Sequence, residues 1–449
     1  MVSILFDKGS LLIKGNIRTP YGRWDSRIGA YRAKSMYYSD IIDYFKESQI
    51  SFQDKVMHPP PIEFISCKIT LRKYQEKALF NWNRNNKKGI IVLPTAAGKT
   101  YVALKAICEL KTQTLIIVPT LDLVDQWKKR IKEFLDIDSG VISGGEKIIK
   151  MVTVSTYDSA YLKASYLGNK FSFLIFDEVH HLASQNYMQI AEMYVAPYRL
   201  GLTATYERID ERHKILPSLI GNVVFSLNVK DLVGAYLSPY VYEKIYVKLG
   251  SVEKKKYIDE MNIFKSYLKD KKIFMRSALD FQKFIMLTGR DPNARRALLA
   301  RNNAFKIALN SEEKIKILGD QLKRHPGAKS LIFTLHNDLV YMISNRFFIP
   351  SITYQTPRNE RREILEKFKN GTYKTIVTSQ VLDEGIDVPD ASIGYIISGT
   401  GSSREYIQRL GRLLRKVEGK EARLYEIVSK ETIEVRISNR RSKKEEKVV

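Results

Sequence analysis

Cysteine is nearly absent from this chain of 449 residues, which has only Cys67 and Cys108. Two thiols cannot hold an iron–sulfur cluster that needs four, and their spacing fits no zinc motif. Cys108 lies in an apolar helical pattern and reads as a core residue, so a reducing interior is expected. Long hydrophobic runs are lacking too. The N-terminal MVSILFDKGSLL carries a five-residue apolar stretch before Asp7, too short for the core of a signal peptide. No uninterrupted run approaches the ~20 residues that span a bilayer, so no membrane partner is expected. Acid is in deficit: 49 Asp and Glu stand against 74 Lys and Arg, a formal charge of +25. That excess makes a broad positive field, suited to a polyanion and costly to self-association. Apolar residues, at 44%, are plentiful enough for real cores, and the length suggests about three domains.

The organisation follows from where the patterns change. Residues 1–57 form a compact mixed segment with Tyr21, Trp24, Tyr31, Tyr37 and Tyr38. His58-Pro59-Pro60-Pro61 then stiffens the chain, and residues 58–68 read as a linker. From Ile69 the runs GIIVLP, TLIIVP, MVTVST, FLIFDE and YRLGLTAT read as buried strands alternating with amphipathic stretches. Between the second and third of these runs, Val124, Trp127, Ile131, Phe134 and Leu135 recur at helical spacing. A second alternating block near Ser330 contains SLIFTL, SITYQ, KTIVTSQ, SIGYIIS and ARLYEIV. Two such blocks predict two similar α/β domains, over 69–240 and 326–430. Residues 241–325 interrupt them with a basic, helix-rich stretch, holding 14 Lys and Arg against 6 Asp and Glu across 250–310. That stretch is either a solvated connector or a nucleic-acid-gripping insertion. The mixed-charge end, 431–449, reads as a frayed tail.

The first strand of the first block runs into Pro94-Thr95-Ala96-Ala97-Gly98-Lys99-Thr100, and YVALKAICEL follows as a helix. Strand, loop and helix in that order suit a phosphate-binding loop, whose backbone N–H groups and helix N-terminus favour an anion. Lys99 would reach the β- and γ-phosphates of ATP, and Thr100 would ligate Mg²⁺. The match is partial, because Leu93 stands where the full pattern has Gly. A second element joins it: the apolar strand Phe173–Phe176 ends in Asp177 and Glu178. At the C-terminal end of a parallel strand, Asp177 would hold the metal through waters and Glu178 would activate the attacking water. His180 would couple this site to the next motif.

With these residues in place, the chain resembles a superfamily 2 helicase, and more specifically the archaeal XPB-type DNA helicases (XPB/Rad25). The resemblance covers almost all of 69–430. Leu71-Arg72-Lys73-Tyr74-Gln75 resembles the entry motif, in which Gln75, beside Arg72, reads the adenine. The segments around Thr120 and Thr156 resemble those that touch the nucleic-acid backbone, although each is also read as an ordinary strand end with a helix cap. Thr203-Ala204-Thr205 resembles the motif that couples hydrolysis to movement. Ser379 to Asp387, with Gly385 and Asp387, resembles the fifth helicase motif, and Gln408 to Arg415 the sixth. Arg412 and Arg415, one helix turn apart, would deliver guanidinium groups to the γ-phosphate, worth ~10³–10⁵ in rate for arginine fingers.

LPTAAGKT, DEVHH, GLTATYER and QRLGRLLR carry the likeness to XPB. It implies two tandem RecA-like domains, a damage-recognition-like N-terminal domain (1–57) and a thumb-like insertion. Arg208-Ile209-Asp210 takes the place of an Arg-Glu-Asp element, with an apolar residue where the middle acid is expected; Arg208 and Asp210 remain candidate DNA contacts. The resemblance further implies 3′→5′ polarity, DNA repair or duplex opening and an archaeal nuclease partner; a forked, bubble or damaged DNA partner, a monomeric motor and a cytoplasmic, nucleoid-associated location are expected alongside. The competing readings are a double-stranded DNA translocase that does not separate strands, an RNA helicase, and a non-enzymatic scaffold recruiting a nuclease.

Overall fold

The computed structural model describes residues 2–208, 210–379, 391–399 and 421–446. The chain divides into two compact units, the first closing at Leu237 and the second opening at Ser238.

The first unit holds two sheets. Its N-terminal sheet joins β1 (Val2–Asp7), β2 (Ser10–Lys14), β3 (Arg23–Asp25), β4 (Ala30–Lys34) and β5 (Phe52–Lys55) in the order β3-β4-β2-β1-β5. Helix Tyr38–Glu47 carries the chain across to β5, which pairs parallel with β1. Ile4, Leu11, Ile13, Ile41 and Phe45 pack beneath it, together with Val195 from the next domain. The two domains are therefore docked. Gly9, at φ +95°, lets the β1–β2 turn close on Met193, whose side chain would collide with any Cβ there. Lys34 pairs with Glu192 at 2.5 Å.

The second sheet contains β6 (Lys88–Val92), β7 (Thr114–Val118), β8 (Gly140–Ser143), β9 (Glu146–Ile148), β10 (Val152–Thr156), β11 (Phe173–Asp177), β12 (Tyr198–Thr203) and β13 (Val223–Ser226). Their order is β13-β6-β12-β11-β7-β10-β8-β9, and every pairing is parallel except β8 with β9. Residues of β7, β10 and β11 are buried on both faces. That is why their sequences are continuous apolar runs instead of alternating ones.

In the second unit β14 (Tyr240–Val247), β15 (Ser330–Phe333), β16 (Ser351–Ile352), β17 (Thr375–Thr378), β18 (Ile393–Ile396) and β19 (Ala422–Ser429) form a separate parallel sheet, ordered β14-β19-β18-β15-β17-β16. The fold is thus α/β, with two RecA-like parallel sheets and a small N-terminal domain. Helices Ser251–Asp270, Ala278–Leu287 and Pro292–Leu309 make a helical insertion with its own core of Phe264, Tyr267, Phe284, Ala294 and Ala297.

Two expectations need correction. The insertion is shorter than 241–325. Residues 240–247 are an edge strand paired with β19 along its whole length, and helix Glu312–Arg324 buries Ile315 and Leu318 against the second sheet. A half-exposed edge strand gives a weak apolar signal, and helical periodicity does not say what a helix covers. The second is the reducing interior read from the cysteines: Cys67 and Cys108 form a disulfide that ties the linker to the helix after the phosphate loop. Cys108 is buried as expected, but a partner 41 residues away in sequence left no mark on its local pattern.

Candidate nucleotide site

Registers within the first parallel sheet bring the expected motifs to one edge. Thr203 is level with Val92, Leu202 with Asp177, Phe176 with Ile117, and Thr156 with Val118. The phosphate loop after β6, Thr203 at the end of β12, Asp177 at the end of β11, Thr120 beyond β7 and Thr156 at the end of β10 therefore follow one another along the C-terminal edge. This is where an open parallel sheet binds ligands.

The loop 93–98 turns through Ala96 at φ +67° and Gly98 at φ +77°, and helix Lys99–Leu110 begins directly after. It is held from behind. Gln75 Nε2 donates to the carbonyls of Ala97 and Gly98 at 3.0 and 3.3 Å, and the Tyr74 hydroxyl donates to Ala97 O at 2.7 Å. Gln75 Oε1 accepts from the Arg72 N–H at 2.9 Å, capping its own helix. Gln75 is 3% exposed, so its carboxamide is committed to the loop in this structure instead of being presented to a base. The Arg72 guanidinium lies 5.4 Å from the ring centre of Tyr236, a residue that sequence reading missed. Lys99 Nζ donates to Leu93 O at 3.2 Å, so the lysine is folded back over its own loop.

Asp177 is buried at the end of β11. Its Oδ2 accepts from the Trp127 indole N–H at 2.9 Å and its Oδ1 from the Glu178 N–H at 3.1 Å. The Tyr157 hydroxyl donates to its carbonyl at 3.1 Å. Glu178 adopts φ +49°, a left-handed conformation that turns the chain sharply off the strand. His180 Nδ1 is 3.4 Å from Thr203 Oγ1 and 3.5 Å from Glu178 Oε2, and Thr203 Oγ1 is 3.4 Å from that same carboxylate oxygen. Glu178, partly exposed, thus meets buried His180 and Thr203 in one cluster, and Thr205 joins through its N–H and carbonyl to the Thr203 hydroxyl.

Thr100 Oγ1 accepts from Arg130 Nη1 at 2.6 Å. A hydroxyl and a carboxylate are hard oxygen ligands of the kind Mg²⁺ takes, so Thr100 and Asp177 fit that ion. The sequence shows Trp127 only as part of an amphipathic helix and does not single out Arg130. Their partners lie 50 and 30 residues away, and only the fold reveals them.

Elsewhere the expected contacts take simpler forms. Thr120 and Thr156 are helix N-caps, accepting from the N–H groups of Leu123 and Ser159 at 3.3 Å. Arg208 is tied inward: it forms a two-bond pair with Asp210 at 2.9 and 2.7 Å and donates to His180 O at 2.8 Å. Those hydrogen bonds hold the Asp210 carboxyl well below the usual carboxylate range. Ile209, Gly385, Asp387, Gln408, Arg412 and Arg415 lie outside the described residues.

Three families match in order: "Xeroderma pigmentosum group B helicase damage recognition domain" over residues 4–56, "Type III restriction enzyme, res subunit" over 68–208 and "Helicase conserved C-terminal domain" over 313–417. The chain is 45% identical to "DNA 3'-5' translocase XPB2" of Sulfurisphaera tokodaii, across 98% of this chain and 100% of that protein. It is 30% identical to "Putative DNA 3'-5' helicase Rad25" of Haloarcula marismortui, across 78% of this chain and 51% of that one. Among solved structures, the Pyrococcus furiosus Hef helicase domain shares the fold, with a TM-score of 0.55 at 20% identity over 82% of this chain and 97% of that one. At 45% identity along nearly its whole length to an XPB translocase, and with a match to the XPB damage recognition domain at 4–56, the chain belongs to the XPB helicase family.

Proposed function

We propose that the chain is an ATP-driven DNA motor of the XPB type, hydrolysing ATP in the first parallel-sheet domain to track along or open duplex DNA with 3′→5′ polarity. The observation that carries this reading is the shared edge of the first sheet, where the phosphate loop, Glu178–His180–Thr203 and Asp177 stand side by side. Lys99 leaves the Leu93 carbonyl for the β- and γ-phosphates. Thr100 and Asp177 would hold Mg²⁺, whose charge would offset that of the phosphate oxygens. Glu178 takes the proton of the attacking water. His180 and Thr203, both within reach of Glu178, carry the change in its surroundings to the segment 203–210. Arg208 extends that path, because its guanidinium grips the carbonyl of His180. On the family resemblance, Gly385 and Asp387 belong to the nucleotide-binding set, and Arg412 and Arg415 meet the γ-phosphate. Thr120 and Thr156 cap helices at the same edge, where helix N-termini suit phosphates of the DNA backbone.

ATPase rates without nucleic acid and with single-stranded DNA, forked DNA, duplex DNA or RNA test the reading. DNA should stimulate hydrolysis well above RNA, and Lys99→Ala should abolish it; a Lys99→Ala variant with unchanged DNA-stimulated activity would place the site elsewhere. A second reading, duplex translocation without strand separation, draws on the name of the Sulfurisphaera relative, a translocase. Displacement of a triplex-forming strand without unwinding of a fork decides for it. A nuclease partner, a monomeric state and a role in repair belong to the proposal through the resemblance alone, and co-purification with sizing of the complex tests the first two.

A further inference from the structure

Helix Leu121–Leu135 runs behind both proposed metal ligands. Trp127 donates its indole N–H to Asp177 Oδ2 at 2.9 Å, with both residues buried. Three residues on, Arg130 donates to Thr100 Oγ1 at 2.6 Å. Positions i and i+3 share a helix face, about 4.5 Å apart along the axis, so one face supplies one donor to each ligand.

The two donors differ in kind. An indole N–H is neutral and can only donate, so its partner must be an acceptor: it fixes the rotamer of the Asp177 carboxylate without adding charge. The guanidinium is a permanent cation. Among the described residues Arg130 has no carboxylate within ion-pair distance, and its guanidinium donates to the hydroxyl expected to bind Mg²⁺. A cation parked on a cation ligand repels the metal and attracts the phosphates that the metal would neutralise.

We propose that Trp127 and Arg130 are positioning residues that set the Mg²⁺ dependence of nucleotide binding in opposite directions. Trp127 aims Asp177 for the metal, and Arg130 stands in for the metal beside Thr100 until Mg²⁺ arrives with ATP. The inference rests on the nucleotide site described above and assigns these two residues a part in it.

The test is equilibrium binding of a fluorescent N-methylanthraniloyl-ATP to the full chain, with Mg²⁺ and with EDTA. The readout is the ratio of the two dissociation constants, EDTA over Mg²⁺. Trp127→Phe keeps the aromatic packing but leaves Asp177 Oδ2 without its donor. It should cut the ratio about ten-fold while the EDTA affinity stays near wild type. Arg130→Gln should weaken EDTA binding and raise the ratio. Damage that is merely structural lowers both affinities together and leaves the ratio alone. Ratios unchanged in both variants, or shifted in the same direction, overturn the proposal. Arg130 is half-buried, so Arg130→Gln carries the test by itself if Trp127→Phe does not fold. A wild-type chain that binds the probe equally with and without Mg²⁺ would instead refute the underlying nucleotide site.

Discussion

Gly98 shows how one residue answers two demands. Its φ of +77° is one that side-chain-bearing residues rarely adopt, and a Cβ would come within 2.4 Å of Gln75 Nε2. That amide is no loose end, since it is bonded to the carbonyls of Ala97 and Gly98. Gly98→Ala should therefore cost about 1–2 kcal/mol for the backbone alone, with the broken Gln75 contacts adding to it. Denaturant unfolding should show the loss, and nucleotide binding should weaken with it. The pair Gly98→Ala with Gln75→Ala separates the two causes. The second change clears the clash but not the φ, so only part of the stability should return; full recovery would mean that the backbone conformation carries no cost. The glycine was legible in the sequence as a phosphate-loop residue. Its fit against Gln75 was not, because the two are 23 positions apart and meet only once the sheet has formed.

Most strands of the first parallel sheet that bury both faces announced themselves, although β8, buried at all four positions, did not. The cores of β6, β7, β10, β11 and β12 fall within the five apolar runs of the first block. Those with a foot in solvent did not. β13 and β14 are largely half-buried or exposed, and their residues carry no run long enough to stand out from loops. Candidate site residues followed the same logic: motif residues were found from local order, whereas Trp127, Arg130 and Tyr236 act through tertiary neighbours. Between β15 and helix Asn337–Phe347, His336 has its pKa lowered, first by burial and then by the Lys306 charge, with Asp338 opposing. Its folded pKa therefore lies below the unfolded value of about 6.5, so the unfolded chain binds the proton more readily. The stability His336 contributes is complete above that unfolded value and falls away as pH drops through the folded one. Calorimetric midpoints at pH 7.5 and 5.5 should show a larger drop for the wild type than for His336→Gln. Equal drops would show that this imidazole is solvated in the folded protein.

At the scale of the whole molecule the governing quantity is charge. An excess of 25 positive charges is spread over the chain, and the helical insertion contributes a basic share of it. If DNA is gripped through its backbone, each neutralised phosphate releases a condensed counterion, and affinity must follow salt with a slope of about −0.9 per phosphate for duplex DNA. A grip on roughly six phosphates then loses about 10³ in affinity between 50 and 200 mM salt. Base sequence should matter little, because N-capping hydroxyls, helix termini and lysines read the phosphodiester, which is the same everywhere. Fluorescence anisotropy on two duplexes of unrelated sequence, titrated across that salt range, provides the check. Parallel steep lines are expected. A flat line would mean that apolar or base-specific contacts dominate, and the positive field would then be a matter of solubility and not of grip.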